Sequence, residues 1–145
     1  MDKHKEAYFK YLSNNNIKQS TQREFVLDIF VAVDNHITAQ GLFEKVKSER
    51  SNIGVATVYR AMKLFCDAGI ADEIDIGDGS KRYEKRIGRK HHDHLICTVC
   101  GTISEFYSPK LEEIQRSICS ENSFELHDHS LRLYGICSKC KGNEK

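Results

Sequence analysis

The strongest constraint on this chain is a pair of C-x-x-C knuckles, Cys97-Thr98-Val99-Cys100 and Cys137-Ser138-Lys139-Cys140. Two intervening residues let both thiolates of a knuckle reach one ion, and two knuckles complete the tetrahedral sulfur shell that Zn²⁺ accepts in structural sites. Such a site keeps no open position for catalysis. It reads as a structural zinc that ties the first strand of a small domain to the last. Disulfides and unliganded buried thiols are the competing readings. The start, MDKHKEAYFK, lacks the charged-then-apolar pattern of a secretory signal, so a reducing, cytoplasmic setting and metal ligation are expected. Cys66 and Cys119 fall inside helical patterns and read as small buried apolar residues.

A chain of 145 residues fits one or two small domains, each with a modest core that a metal staple would reinforce. No apolar run approaches the roughly 18 residues needed to span a bilayer, so no membrane association is expected. The formal net charge of +1 gives no broad basic footprint, and any nucleic-acid reading must rest on local pattern.

Residue pattern changes character near Glu84, which divides the chain into 1–84 and 85–145. In the first part, Tyr8, Tyr11 and Leu12 mark a short, weakly patterned helix with no obvious packing partner. Ser20 or Thr21 can cap a second helix whose inward stripe is Phe25, Val26, Ile29, Phe30 and Val33. Thr38 caps a third, with Leu42, Phe43 and Val46 inward. Gly54 opens a fourth, where Val55, Val58, Met62 and Phe65 form an apolar face and Ala56, Tyr59, Arg60 and Lys63 the opposite one. Gly69 ends it. Runs at 70–76 and 81–84 flank Gly77-Asp78-Gly79, a hairpin turn by its chemistry. Helices followed by a hairpin make a winged helix-turn-helix.

After Glu84 come apolar runs at 94–99 and 102–107, a helix from Ser108 to about Asn122 with Pro109 at its first position, and a further strand through Leu131, Leu133 and Gly135. The expectation is a small α/β domain with an antiparallel sheet, making the whole chain α+β.

His91-His92-Asp93-His94 is the second chemical signal. In an extended segment alternate side chains point to opposite faces, so His92 and His94 form one half-site and His91 and Asp93 another. A solvated polar loop or a hydrogen-bonded patch is the plain alternative for such a cluster.

Five landmarks, Thr21-Gln22-Arg23, Asp34-Asn35-His36, Gly54-Val55-Ala56-Thr57-Val58-Tyr59-Arg60, the segment from His91 to Cys97, and His129-Ser130-Leu131, together resemble the ferric uptake regulator family from about Ile17 to Cys140. The resemblance implies an N-terminal winged-helix DNA-binding domain and a C-terminal dimerisation domain. It implies a regulatory site of His36, Glu84, His92, His94 and Glu105 for Fe²⁺, with Mn²⁺ or Zn²⁺ as alternatives, and an additional site of His91, Asp93, Glu112 and His129. Nitrogen and oxygen ligands suit several divalent ions. For DNA it implies that Tyr59 packs on thymine methyls, Arg60 meets phosphate or guanine, and Lys18 enters the narrow minor groove of A·T-rich sequence.

The chain departs from the family pattern in three places. An extra residue between Glu84 and the histidines would displace Glu84 from the metal. Gly41 stands where an acidic residue is usual and would weaken the third helix. The wing carries Asp72, Glu73, Asp75 and Asp78, several of which should face away from phosphate.

The expected function is metal-dependent repression by a homodimer on an A·T-rich palindromic operator. A peroxide-sensing regulator is the nearest alternative, but Glu105 resembles iron-sensing members, where peroxide sensors carry aspartate. A small metal-dependent hydrolase lacks the H-E-x-x-H helix or nucleophile motif it would need, so no enzymatic activity is expected. A zinc-stapled interaction module that reads no DNA is a third possibility.

Overall fold

Short polar side chains set where the first helices begin, each accepting from an orphan first-turn amide. In the computed structural model, which describes residues 2–76, 79–88 and 91–142, Asp2 accepts from the His4 amide at 3.1 Å to start α1 (Lys3–Asn14). Ser20, rather than Thr21, accepts from Arg23 at 3.2 Å to start α2 (Thr21–Val31). Thr38 accepts from Gly41 at 2.9 Å to start α3 (Ala39–Glu49). A Cβ on Gly41 would come within 3.1 Å of the Thr38 hydroxyl oxygen and 3.2 Å of Ile37 Cγ1. Glycine here leaves room for the cap, which offsets part of its poor helix propensity.

α4 (Val55–Asp67) ends as its sequence predicts. Gly69 takes φ +75°, and the Ile70 amide returns to the Phe65 carbonyl at 2.9 Å. β1 (Ala71–Asp75) and β2 (Lys81–Lys85) then pair antiparallel. Of the predicted turn, Gly77 and Asp78 lie outside the described residues, and Gly79 has φ +81°.

The chain divides into two units, Met1–Arg89 and Lys90–Lys145. The first is a winged helix-turn-helix with nearly all of the buried apolar side chains. α1 does have a partner. Tyr8 and Leu12 are buried in the same cluster as Phe65 and Phe30, with the Tyr8 ring edge-on to Phe65 at 6.0 Å. In α2, Val26, Leu27 and Phe30 lie deepest, while Phe25 and Ile29 flank them, so the buried face is turned towards Leu27 from the predicted stripe; Val33 of that stripe lies beyond the helix end, packed against the same cluster. Val58, Ala61, Met62 and Phe65 are the buried face of α4. Val55, expected among them, is instead 41% exposed. It sits in the first turn, one turn before the helix meets the core.

The second unit is built from β3 (Asp93–Cys97), β4 (Ile103–Phe106), α5 (Pro109–Glu121), β5 (Arg132–Gly135) and a short α6 (Ser138–Gly142), which the sequence did not announce. Its sheet order is β4-β3-β5. β3 runs antiparallel to β4 but parallel to β5, correcting the expectation of an antiparallel sheet. The reason is the crossover: a tight turn can only reverse the chain, whereas the helix between β4 and β5 returns it in the direction of β3.

Phe65 holds together the rings of Tyr8 and Phe30, the latter stacked at 6.3 Å. Phe65→Ala is expected to destabilise the first unit by roughly 3–5 kcal/mol, seen as a lower urea midpoint with an unchanged slope.

Candidate metal centres and nucleic-acid interface

Parallel pairing places Cys97 opposite Gly135, which puts both knuckles at one end of the sheet. The four sulfurs of Cys97, Cys100, Cys137 and Cys140 lie within 4.8 Å of one another, and none forms a disulfide. Cys100 Sγ and Cys137 Sγ are 3.8 Å apart. A tetrahedron with bonds of about 2.3 Å has an edge of about 3.8 Å, so this spacing fits zinc.

The backbone prepares the thiols unequally. The amides of Cys100 and Cys137 approach Cys97 Sγ at 3.5 and 3.4 Å and hold its pKa down at about 6. The Thr102 side chain, 3.0 Å from Cys100 Sγ, lowers that thiol too. Cys140 is pushed up to about 12, chiefly by its hydrogen bond with Cys137. Ligation by four thiolates releases the protons the cluster holds, so metal binding there weakens as pH falls. Thr102 was not singled out from sequence, though a hydroxyl two residues beyond a knuckle cysteine was the available signal. Cys66 is a different case, since burial raises its pKa to about 12 and keeps it neutral.

The second group is also within one unit. His91, Asp93, Glu112 and His129 bring their donor atoms within 4.8 Å of one another. The two Nε2 atoms are 2.9 Å apart. His91 lies 3.2 Å from Glu112 and 3.4 Å from Asp93, and His129 lies 3.3 and 3.4 Å from the same two oxygens. Asp93 is 1% exposed, and its carboxylate oxygens, like Glu112 Oε1, are buried with no hydrogen-bond partner. Buried carboxylates facing two imidazole nitrogens are a donor set of the kind that suits a divalent cation.

The remaining candidate ligands are two residues in the first unit and three in the second. In the first, the isolated bridge between Ile37 and Tyr83, with amide-to-carbonyl distances of 3.0 and 2.8 Å, sets His36 beside Glu84. Their side chains meet at 2.8 Å, with Glu84 1% exposed. The extra residue downstream does not separate Glu84 from His36. In the second unit His94 lies opposite Glu105 in the β3–β4 ladder, His92 Nε2 is 3.7 Å from Glu105, and the His92 and His94 rings are 4.8 Å apart. Asp93 and His94, adjacent in β3, thus face different groups, as strand alternation requires, while His91 and His92, which precede the strand, approach Asp93 and Glu105 respectively.

On α4 the exposed residues are Val55, Ala56, Tyr59, Arg60, Lys63 and, in the last turn, the acidic Asp67. Tyr59 is 50% exposed. Lys18 is exposed on the α1–α2 connection, where Arg23 donates to its carbonyl at 3.4 Å. In the wing, Glu73 pairs with Lys81 at 2.8 Å and Asp72 stands 3.8 Å from Arg86, so part of the acidic charge is matched locally. Asp75 is exposed, and Asp78 lies outside the described residues. No helix among the described residues is long and apolar enough to cross a membrane.

The model of the ferric uptake regulator family matches residues 14–134. A ferric uptake regulation protein of Campylobacter upsaliensis is 38% identical over 142 residues, which span 97% of this chain and 90% of that protein. Among solved structures, the ferric uptake regulator of Francisella tularensis with iron is 36% identical and superposes with a TM-score of 0.74, covering 86% of this chain and 95% of that one. The Helicobacter pylori ferric uptake regulator shares the fold at a TM-score of 0.81 and 23% identity, over 97% of this chain and 95% of that one.

Replacing one sulfur ligand, Cys137→Ser, is expected to abolish chelator-resistant metal in the purified protein, measured by elemental analysis. Far-UV circular dichroism should then report loss of the β3–β5 sheet with α1–α4 retained.

Proposed function

This chain belongs to the ferric uptake regulator family of metal-responsive transcriptional regulators, and from that premise we propose how its residues turn metal occupancy into operator binding. Cys97, Cys100, Cys137 and Cys140 hold a structural Zn²⁺ that shapes the dimerisation domain, residues 85–145. His36 and Glu84 from the DNA-binding domain, residues 1–84, and His92, His94 and Glu105 from the dimerisation domain hold the regulatory ion, Fe²⁺ in this reading. Its chemistry is that of a cross-link between nitrogen and oxygen donors. His91, Asp93, Glu112 and His129 hold an additional ion. The observation that carries this reading is the alternation along residues 91–94, which sends neighbouring ligands to two different donor groups.

Ligands divided between two domains couple metal to DNA by linkage. Whatever domain orientation completes the ligand set is favoured by the metal, and if it is also the orientation that fits DNA, both affinities rise together. Support for a homodimer comes from the exposed apolar surface of the second unit. Tyr107, Ile114, Ile118, Phe124 and Leu133 are between 47% and 66% exposed, and α5 has no buried residue. A surface of that kind marks an association site. A two-fold dimer would present its recognition helices to successive turns of a palindromic operator. Lys18 enters an A·T-rich minor groove, and Tyr59 and Arg60 enter the major groove. The protein acts in the cytoplasm.

Operator binding titrated against Fe²⁺, Mn²⁺ and Zn²⁺ tests the mechanism. His92→Ala combined with Glu105→Ala is expected to remove the metal dependence while leaving the cysteine-held zinc in place; unchanged metal dependence would sink the inter-domain reading. Peroxide treatment of the iron-loaded protein should leave its histidines unoxidised, checked by mass spectrometry. Leu133→Asp is expected to shift the protein from dimer to monomer in sedimentation velocity.

A further inference from the structure

Val55 is an exposed apolar residue that the fold itself does not explain. It was expected in the core with Val58, Met62 and Phe65, yet it is 41% exposed while those three are fully buried. Local helix stability gives no reason for it either. A β-branched side chain loses rotamer freedom in a helix, and the first turn favours acidic residues that complement the helix dipole. Glutamate there would serve the helix better than valine.

The place of Val55 in the exposed stripe supplies a reason. The stripe is apolar at its N-terminal end, Val55 and Ala56, aromatic at Tyr59, and cationic at Arg60 and Lys63. In a helix-turn-helix the N-terminal residues of the recognition helix meet base edges. The isopropyl group of valine can neither donate nor accept a hydrogen bond, and the only apolar feature that base pairs present in the major groove is the C5-methyl of thymine. We infer that Val55 is a specificity-determining residue of this regulator, packing its side chain on a thymine methyl in each operator half-site. The inference deepens the DNA-binding reading above and rests on it.

The geometry also limits where that thymine lies. Val55 precedes Tyr59 by four residues, about 6 Å of axis, against about 3.4 Å of rise per base pair. Its target is therefore within two base pairs of the one Tyr59 touches. Ala56, beside it in the stripe, is too short to obstruct the approach.

The test starts from a duplex that the metal-loaded wild-type protein selects from a randomised DNA pool. Each thymine of one half-site is replaced in turn by uracil, which deletes the methyl and nothing else. Affinities are measured for the wild type and for Val55→Ser, which removes both γ-methyls that could pack on thymine. Tyr59→Ala, run in parallel, locates the neighbouring base pair.

One uracil position is expected to weaken wild-type binding roughly fourfold, the worth of one methyl-sized apolar contact. The same replacement should leave Val55→Ser unaffected, with thermal unfolding unchanged between the two proteins. The inference is overturned if no uracil penalty disappears in Val55→Ser. It is equally overturned if selected duplexes lack thymine within two base pairs of the Tyr59-dependent position. Recovery of no preferred sequence at all would instead bring down the DNA-reading function along with it, whereas a selected operator with intact Tyr59 dependence and no Val55 coupling brings down only this assignment.

Discussion

The parallel pairing of β3 with β5 is the interaction on which the second unit depends. With Cys97 opposite Gly135, the Cys137 knuckle starts beside the Cys97 knuckle; an antiparallel β5 would leave the two at opposite ends of the sheet. The other end of the same strand carries Asp93 and His94. One five-residue strand thus contributes to the sulfur cluster, to the buried group of His91, Asp93, Glu112 and His129, and to the pair with Glu105. A slip of one residue would exchange the faces of Asp93 and His94 and misalign Cys97 at once. Correct ligand geometry and correct strand register are one condition in this fold.

Much of the first unit was legible in the sequence because its signals are local. Ser20, Thr38 and Gly69 act within a few residues of themselves, and the helices begin and end where those residues indicate. The cysteine knuckles were legible for a similar reason, since two-residue spacing carries its own geometry. Strand alternation separated His92 and His94 from His91 and Asp93 before any coordinates. What stayed hidden depends on partners far away in sequence. The packing of α1 is decided by Phe65, more than fifty residues on from Tyr8. The outward turn of Val55 depends on where α4 enters the core, which a periodic pattern that includes the helix start does not report. The direction of β5 depends on the crossover through α5, and a strand's own sequence does not encode which way its neighbour runs.

The two units differ in how they meet the cost of order. The first buries Tyr8, Phe30, Phe65 and their neighbours in one apolar cluster. Among the described apolar residues of the second, only Ile96 and Cys97 are buried, and polar side chains sit where a core would be, Asp93 at 1% and His94 at 9% exposure. Ligation and association are the available substitutes for an interior of that size. This is why the candidate ligands are dense after residue 90, and why a single missing sulfur is a structural event there.

The isolated bridge between Ile37 and Tyr83 has a consequence for how this sequence can vary. It fixes Glu84 against His36 from within the first unit, by backbone groups that any side chains could provide. Residues inserted after Lys85 lengthen the connection to the histidines without disturbing that pair, and the entropy of a longer connection grows only with the logarithm of its length. Length in this connection can therefore change at little cost to the contact between residues 36 and 84, which the first unit makes by itself.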